Sequence, residues 1–95
     1  MSTNQTISKF GLMRRTYLQE QKPMQYQTML IENTLESHLI ETEIAANQRL
    51  ELIMTQLLEK QPAPDKEANQ MAWVQHMNML KAQAEEIITT ELIYN

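Results

Sequence analysis

The sequence predicts an all-α fold, an antiparallel hairpin of two long helices packed with two short N-terminal helices into a small bundle, and three observations predict it. Its 95 residues hold one glycine, Gly11, and one valine, Val74, against a bulk of Leu, Met, Ala, Glu, Gln and Lys. Those residue types lose little side-chain freedom in a helix, whereas a sheet calls for β-branched and aromatic residues. Three prolines, Pro23, Pro62 and Pro64, punctuate the chain, and between them apolar residues recur at helical spacing.

Residues 1 to 7 are expected to be a frayed start. Asn4-Gln5-Thr6 is a glycosylation sequon, but the first residues lack the basic and hydrophobic regions of a signal peptide, which makes the sequon irrelevant and the cytoplasm the expected compartment. Residues 8 to 33 form two short helices. The first, Ser8 to Gln21, has Ser8 as its cap and Phe10, Met13 and Tyr17 on one face; the second starts at Pro23, in the first-turn position proline tolerates, and ends near Glu32-Asn33, where asparagine accepts a left-handed backbone.

A long helix follows over residues 34 to 60. Leu39, Ala46, Leu50, Ile53 and Leu57 recur at spacings of seven, four, three and four, one stripe of a helix. Residues 61 to 65, Gln-Pro-Ala-Pro-Asp, break it, since neither proline can donate a helical hydrogen bond. Asp65 then serves as the expected cap of a second long helix over 66 to 94, on which Trp73, Met77, Leu80, Ala84 and Ile87 form the stripe and Trp73 is the expected anchor of the core. So short a loop folds the helices back on each other. Second apolar flanks, Ile40, Ile44, Met54 and Leu58 on one helix and Val74, Ile88 and Leu92 on the other, need a cover. The N-terminal helices can supply it, and so can a second hairpin in a homodimer.

The chain is one domain, too short to bury much more than about two-thirds of its unfolded surface. It has no cysteine, hence no disulfide or thiolate metal site, and no apolar run of membrane-spanning length. His38 with Glu41 one turn later falls short of the three or four ligands of a stable metal site. There is no Gly-x-Ser-x-Gly turn, and a single glycine excludes a phosphate-cradling loop. Glu85 and Glu86 are adjacent and lie about 100° apart on a helix, so they do not cooperate as an acid-base pair. No catalytic, cofactor or metal site is expected.

Lys9-Phe10-Gly11-Leu12-Met13-Arg14-Arg15-Thr16-Tyr17-Leu18, the Pro23 to Leu30 segment and His38-Leu39 resemble the TnpV-like proteins encoded on bacterial transposons. So do Ala72-Trp73-Val74, Met77-Asn78, the run from Lys81 to Ile88 and Glu91-Leu92-Ile93-Tyr94, which extends the likeness from Ile7 to the last residues. The resemblance implies a mobile-element accessory protein, with no functional residue to transfer, of a kind that assists recombination or disables a host defence nuclease.

Charge suggests where a partner would sit. Residues 1 to 33 hold Lys9, Arg14, Arg15 and Lys22 against Glu20 and Glu32, and the rest holds four cations against ten acids. A basic protein partner, such as a nucleic-acid enzyme inhibited as an anti-CRISPR inhibits, would meet the acidic body, with Glu36, Glu43 and Glu51 as the expected cluster. Leu12, Leu52 and Met79 fit no stripe and are the expected exposed apolar contacts. The alternative is a DNA-binding excision or recombination factor using Lys9, Arg14, Arg15 and Lys22.

Overall fold

A computed structural model describes residues 7–95; the start of the expected frayed segment and the Asn4-Gln5-Thr6 sequon lie outside the described residues. The fold is all-α. Helices α1 (Lys9–Gln21), α2 (Pro23–Ile31), α3 (Leu35–Lys60) and α4 (Gln70–Ile88) follow one another, α4 running into a π-helical turn, Thr89–Ile93. Among the described residues there is no strand.

The long helices form the hairpin. Arg49 of α3 pairs with Glu91 beyond α4 at 3.0 Å, and His76 of α4 meets the Gln61 carbonyl at the end of α3 at 2.7 Å, so the two run antiparallel along their length. Helix α1 lies along the first half of α3 in the opposite sense. Its start meets Glu43 and its Leu18 packs with Leu35 and Leu39, whereas Phe10 joins Ala46, Ile53, Ala84, Ile88 and Ile93. Only one end of the hairpin therefore gains a third helical layer. The molecule measures 55 × 32 × 19 Å with a radius of gyration of 16.6 Å, against about 12 Å for a compact domain of this length.

Helix α2 starts with Pro23 in its first turn and ends in a Schellman motif: the Thr34 amide donates to Met29 and the Asn33 amide to Leu30, with Asn33 at φ 61°. The start of α4 differs from the sequence expectation. Asp65 accepts the Glu67 amide in a local turn, and Asn69 caps the helix by accepting from the Ala72 amide at 3.1 Å. Trp73, three residues before His76 and so about 4.5 Å further out, sits beyond the end of α3. It is half-buried with the Lys66 ammonium 4.6 Å from its ring centre, and is not the anchor of the core.

The far end of α4 departs from its stripe as well. Leu80, Ala84 and Ile88 are fully buried and Ile93 follows five residues later, whereas Ile87 is 39% exposed. A run of four, four and five drifts around the helix, because the end of α4 must meet Phe10 of α1 as well as α3. The π-helical turn supplies the extra residue that returns Ile93 to the core.

Candidate functional site

Two charged side chains assigned to the surface from sequence are interior. Glu43 is 6% exposed. Its Oε1 accepts the amide hydrogens of Gly11 at 2.8 Å and Ser8 at 2.9 Å, and its Oε2 accepts from the Asn47 side chain at 2.9 Å. Ser8 makes no side-chain cap bond, so a carboxylate from α3 replaces it at the start of α1, where the helix dipole favours a negative charge. Burial alone would push the Glu43 carboxyl up; the Gly11 and Ser8 amides, with Asn47, outweigh it and hold the group below its ordinary value. Glu36 and Glu51 remain exposed without it, so the three acids form no single surface cluster.

Arg14, expected to face phosphates, is 7% exposed. One guanidinium nitrogen donates to the Ile93 carbonyl at 2.8 Å and to the backbone oxygen of Asn95 at 3.0 Å, while Nε donates to His38 Nε2 at 3.2 Å. His38 must be neutral to accept there. Burial and the Arg14 charge hold it below the ordinary imidazole value, with Glu41 opposing. Lys9 is paired with Glu85 at 2.8 Å. Of the four head cations, Arg15 and Lys22 are left exposed outside any ion pair among the described residues, and Arg15 lines a groove shared with Glu36.

Each interior charge carries one local signal, its position among buried residues. Leu39 and Ala46 are seven apart, and Glu43 occupies the stripe position between them; Arg14 stands midway between the buried Phe10 and Leu18. The long-range partners that satisfy them had no such signal.

Leu12, Leu52 and Met79 are each roughly half exposed, on α1, α3 and α4 respectively. Leu12 lines a groove of about 530 Å³ with Met13, Tyr17 and Tyr94, which neither Leu52 nor Met79 reaches. Sequence reasoning missed a different groove, of about 470 Å³, lined by Gln83, Glu86, Ile87, Thr90 and Glu91. It lies where α4 runs into the π-helical turn: the Thr89 and Thr90 hydroxyls donate to the Glu86 carbonyl at 2.9 and 3.1 Å, and Ile87, still on α4, lines the groove with Glu86 and Glu91. Glu91 is held below its ordinary value by its hydrogen bond from Arg49, and Glu86 is in neither ion pair among the described residues.

Among the described residues no three His, Asp or Glu side chains converge on a metal-binding point, and no helix is long and apolar enough to cross a membrane. Such a structure is a small helical bundle whose interior charges tie its helices together. The family model of the transposon-encoded protein TnpV matches residues 1–93, and the chain belongs to that family. No curated protein and no solved structure matches it.

Proposed function

We propose that this transposon-encoded protein is a non-catalytic accessory factor that binds another protein through the acid-flanked groove at the π-helical turn. Its partner is a basic nucleic-acid-handling enzyme, most concretely a host defence nuclease that it inhibits in the manner of an anti-CRISPR. The observation that carries the reading is Ile87, a residue at a core-stripe position that stands 39% exposed between Glu86 and Glu91. An apolar anchor flanked by carboxylates suits a partner that offers a small apolar pocket rimmed by Lys or Arg. Glu36, Glu41 and Glu51 add to the negative field that would steer encounter.

The excision-factor alternative loses ground on geometry. With Arg14 buried and Lys9 paired, two phosphate contacts from Arg15 and Lys22 would give a slope of log K against log salt of only about −1.8.

The test is titration of the purified protein, wild type and Glu86→Lys/Ile87→Lys, into reconstituted cleavage reactions of the host's defence nucleases, alongside capture of partners from the host. Slowed cleavage by wild type and not by the variant is the expected result. Cleavage unaffected by either protein removes the inhibitor reading. Nanomolar duplex DNA binding at physiological salt, abolished by reversing Arg15 and Lys22, would establish the excision-factor reading in its place.

A further inference from the structure

The two most exposed large apolar side chains among the described residues lie on one short helix, away from the π-helical turn. Met24 is 84% exposed and Ile31 82% exposed, both on α2, which buries none of its own residues. Seven residues separate them, so they project within about 20° of one another. Tyr26 and Met29 lean inward on Leu18, Leu35 and Leu39 from the opposite side of the helix. Gln27 and Thr28 complete the outward face, and the Thr28 hydroxyl is already spent on the Met24 carbonyl at 2.9 Å. That face makes little polar demand on whatever covers it.

Charge identifies the occupant. From Pro23 to Ile31 the helix carries no charge, Lys22 precedes it immediately and Glu32 follows it immediately, and neither is in an ion pair among the described residues. The helix is thus bounded by a cation at its start and an acid at its end, a pattern complementary to itself when two copies run antiparallel. If two copies meet on a two-fold axis passing between Gln27 and Thr28, Met24 of each packs on Ile31 of the other, and Lys22 of each comes opposite Glu32 of the other. This is the isologous relation of a symmetric dimer. The two helix dipoles then run oppositely, and each charge lies against the end of the neighbouring helix that favours it.

We infer that α2 is a self-association surface, through which two copies of this chain pair antiparallel with Met24 and Ile31 as its apolar core and Lys22 and Glu32 as its register. The inference is independent of the groove around Ile87. A nine-residue helix buries well under the ~800 Å² per partner of a standard interface, so the pairing is weak and concentration-dependent.

Sedimentation equilibrium of the full chain up to about 1 mM, at low and high salt, tests it. The expected result is a monomer-dimer equilibrium that Met24→Glu or Ile31→Glu weakens at least tenfold with unchanged far-ultraviolet dichroism. Lys22→Glu alone should weaken it, and the double exchange Lys22→Glu/Glu32→Lys should restore it, because the reversed pairs attract again. A wild-type chain that stays monomeric throughout overturns the inference. So does a dimer indifferent to Met24→Glu, or a double exchange that pairs no better than the single one. Capture of a different protein that these same variants abolish, with no self-association of wild type, assigns the face to that protein and likewise overturns it.

Discussion

Glu43 Oε1 accepts the Gly11 amide hydrogen at 2.8 Å, joining the middle of α3 to the first turn of α1 across 32 residues of chain. One carboxylate thereby caps a helix that has no side-chain cap of its own and fixes where α1 crosses α3. Glu43→Ala should cost about 2 to 3 kcal/mol, because it strands a buried amide donor and empties a packed position. Glu43→Gln keeps an acceptor and loses the charge, and should cost about 1 kcal/mol. Urea unfolding followed by dichroism measures both; an unchanged stability in Glu43→Gln would mean that charge contributes nothing at this cap.

Gly11→Ala should destabilise despite improving helix propensity by about 1 kcal/mol. An added Cβ would stand 2.6 Å from Ile7 Cγ2, 3.2 Å from the Leu39 carbonyl oxygen and 3.3 Å from Glu43 Oε1. The Ile7 side chain can rotate away, but the Leu39 backbone cannot, so α1 is pushed outward and the Glu43 bonds lengthen. A net loss of about 1 to 2 kcal/mol is expected, with the carboxyl of Glu43 titrating higher by NMR. A gain in stability would show that the contact relaxes freely.

The helical class and the α3 stripe were legible because they depend on local composition and a 3.6-residue period. Leu39, Ala46 and Ile53 are buried where the spacing put them. Glu43 and Arg14 were not legible as interior groups, since a charge at a stripe position reads as solvated until its distant partners are known, and those of Arg14 lie at Ile93 and Asn95. Ile87 faces outward for a related reason: where α4 meets Phe10 of α1 the buried position is Ile88, a contact that no property of residues 73 to 87 announces. The candidate groove consists largely of that departure.

Two titrations should mark stability against pH. His38 is depressed in the fold, so in the window below about 6.5 the unfolded chain takes up a proton that the native chain refuses, and stability falls as pH drops toward the folded value. Glu43 is also depressed, so its contribution is complete above about 4.5 and is lost as pH falls through its folded value. Thermal melts from pH 8 to 3 should show both steps. His38→Gln should erase the first and Glu43→Gln reduce the second, where Glu91 titrates as well. A wild-type profile flat between pH 7 and 5 would rule out the neutral His38 that Arg14 requires.

Trp73→Ala should cost about 1 to 2 kcal/mol, since the ring is half-buried beyond the end of α3 and part of its contact is the Lys66 ammonium. Ile88→Ala, at a fully buried side chain in the cluster shared by α1, α3 and α4, should cost about 3 kcal/mol. Denaturant unfolding of the two variants ranks them directly, and the reverse order would return Trp73 to the centre of the core.

Arg14→Lys should loosen the last turn of the protein before it unfolds the rest. The guanidinium holds the Ile93 and Asn95 backbone oxygens from one nitrogen and His38 from another, with the Tyr17 ring 5.7 Å away. A lysine ammonium is a single point donor and cannot reproduce that fork, so at least one buried acceptor loses its partner, at a cost of about 1 to 3 kcal/mol. The loss is local, because the bonds tie Thr89–Ile93 to α1 while the α3–α4 stripe stays intact. Amide exchange at Ile93 and Tyr94 should therefore accelerate more than exchange at Ile53 or Leu80. That turn also supplies Thr90 and Glu91 to the groove beside Ile87, so binding through the groove should weaken although Arg14 does not line it. Uniform acceleration across all amides would show that Arg14 supports global stability alone, and undiminished binding by a locally loosened chain would separate the groove from the turn that shapes it.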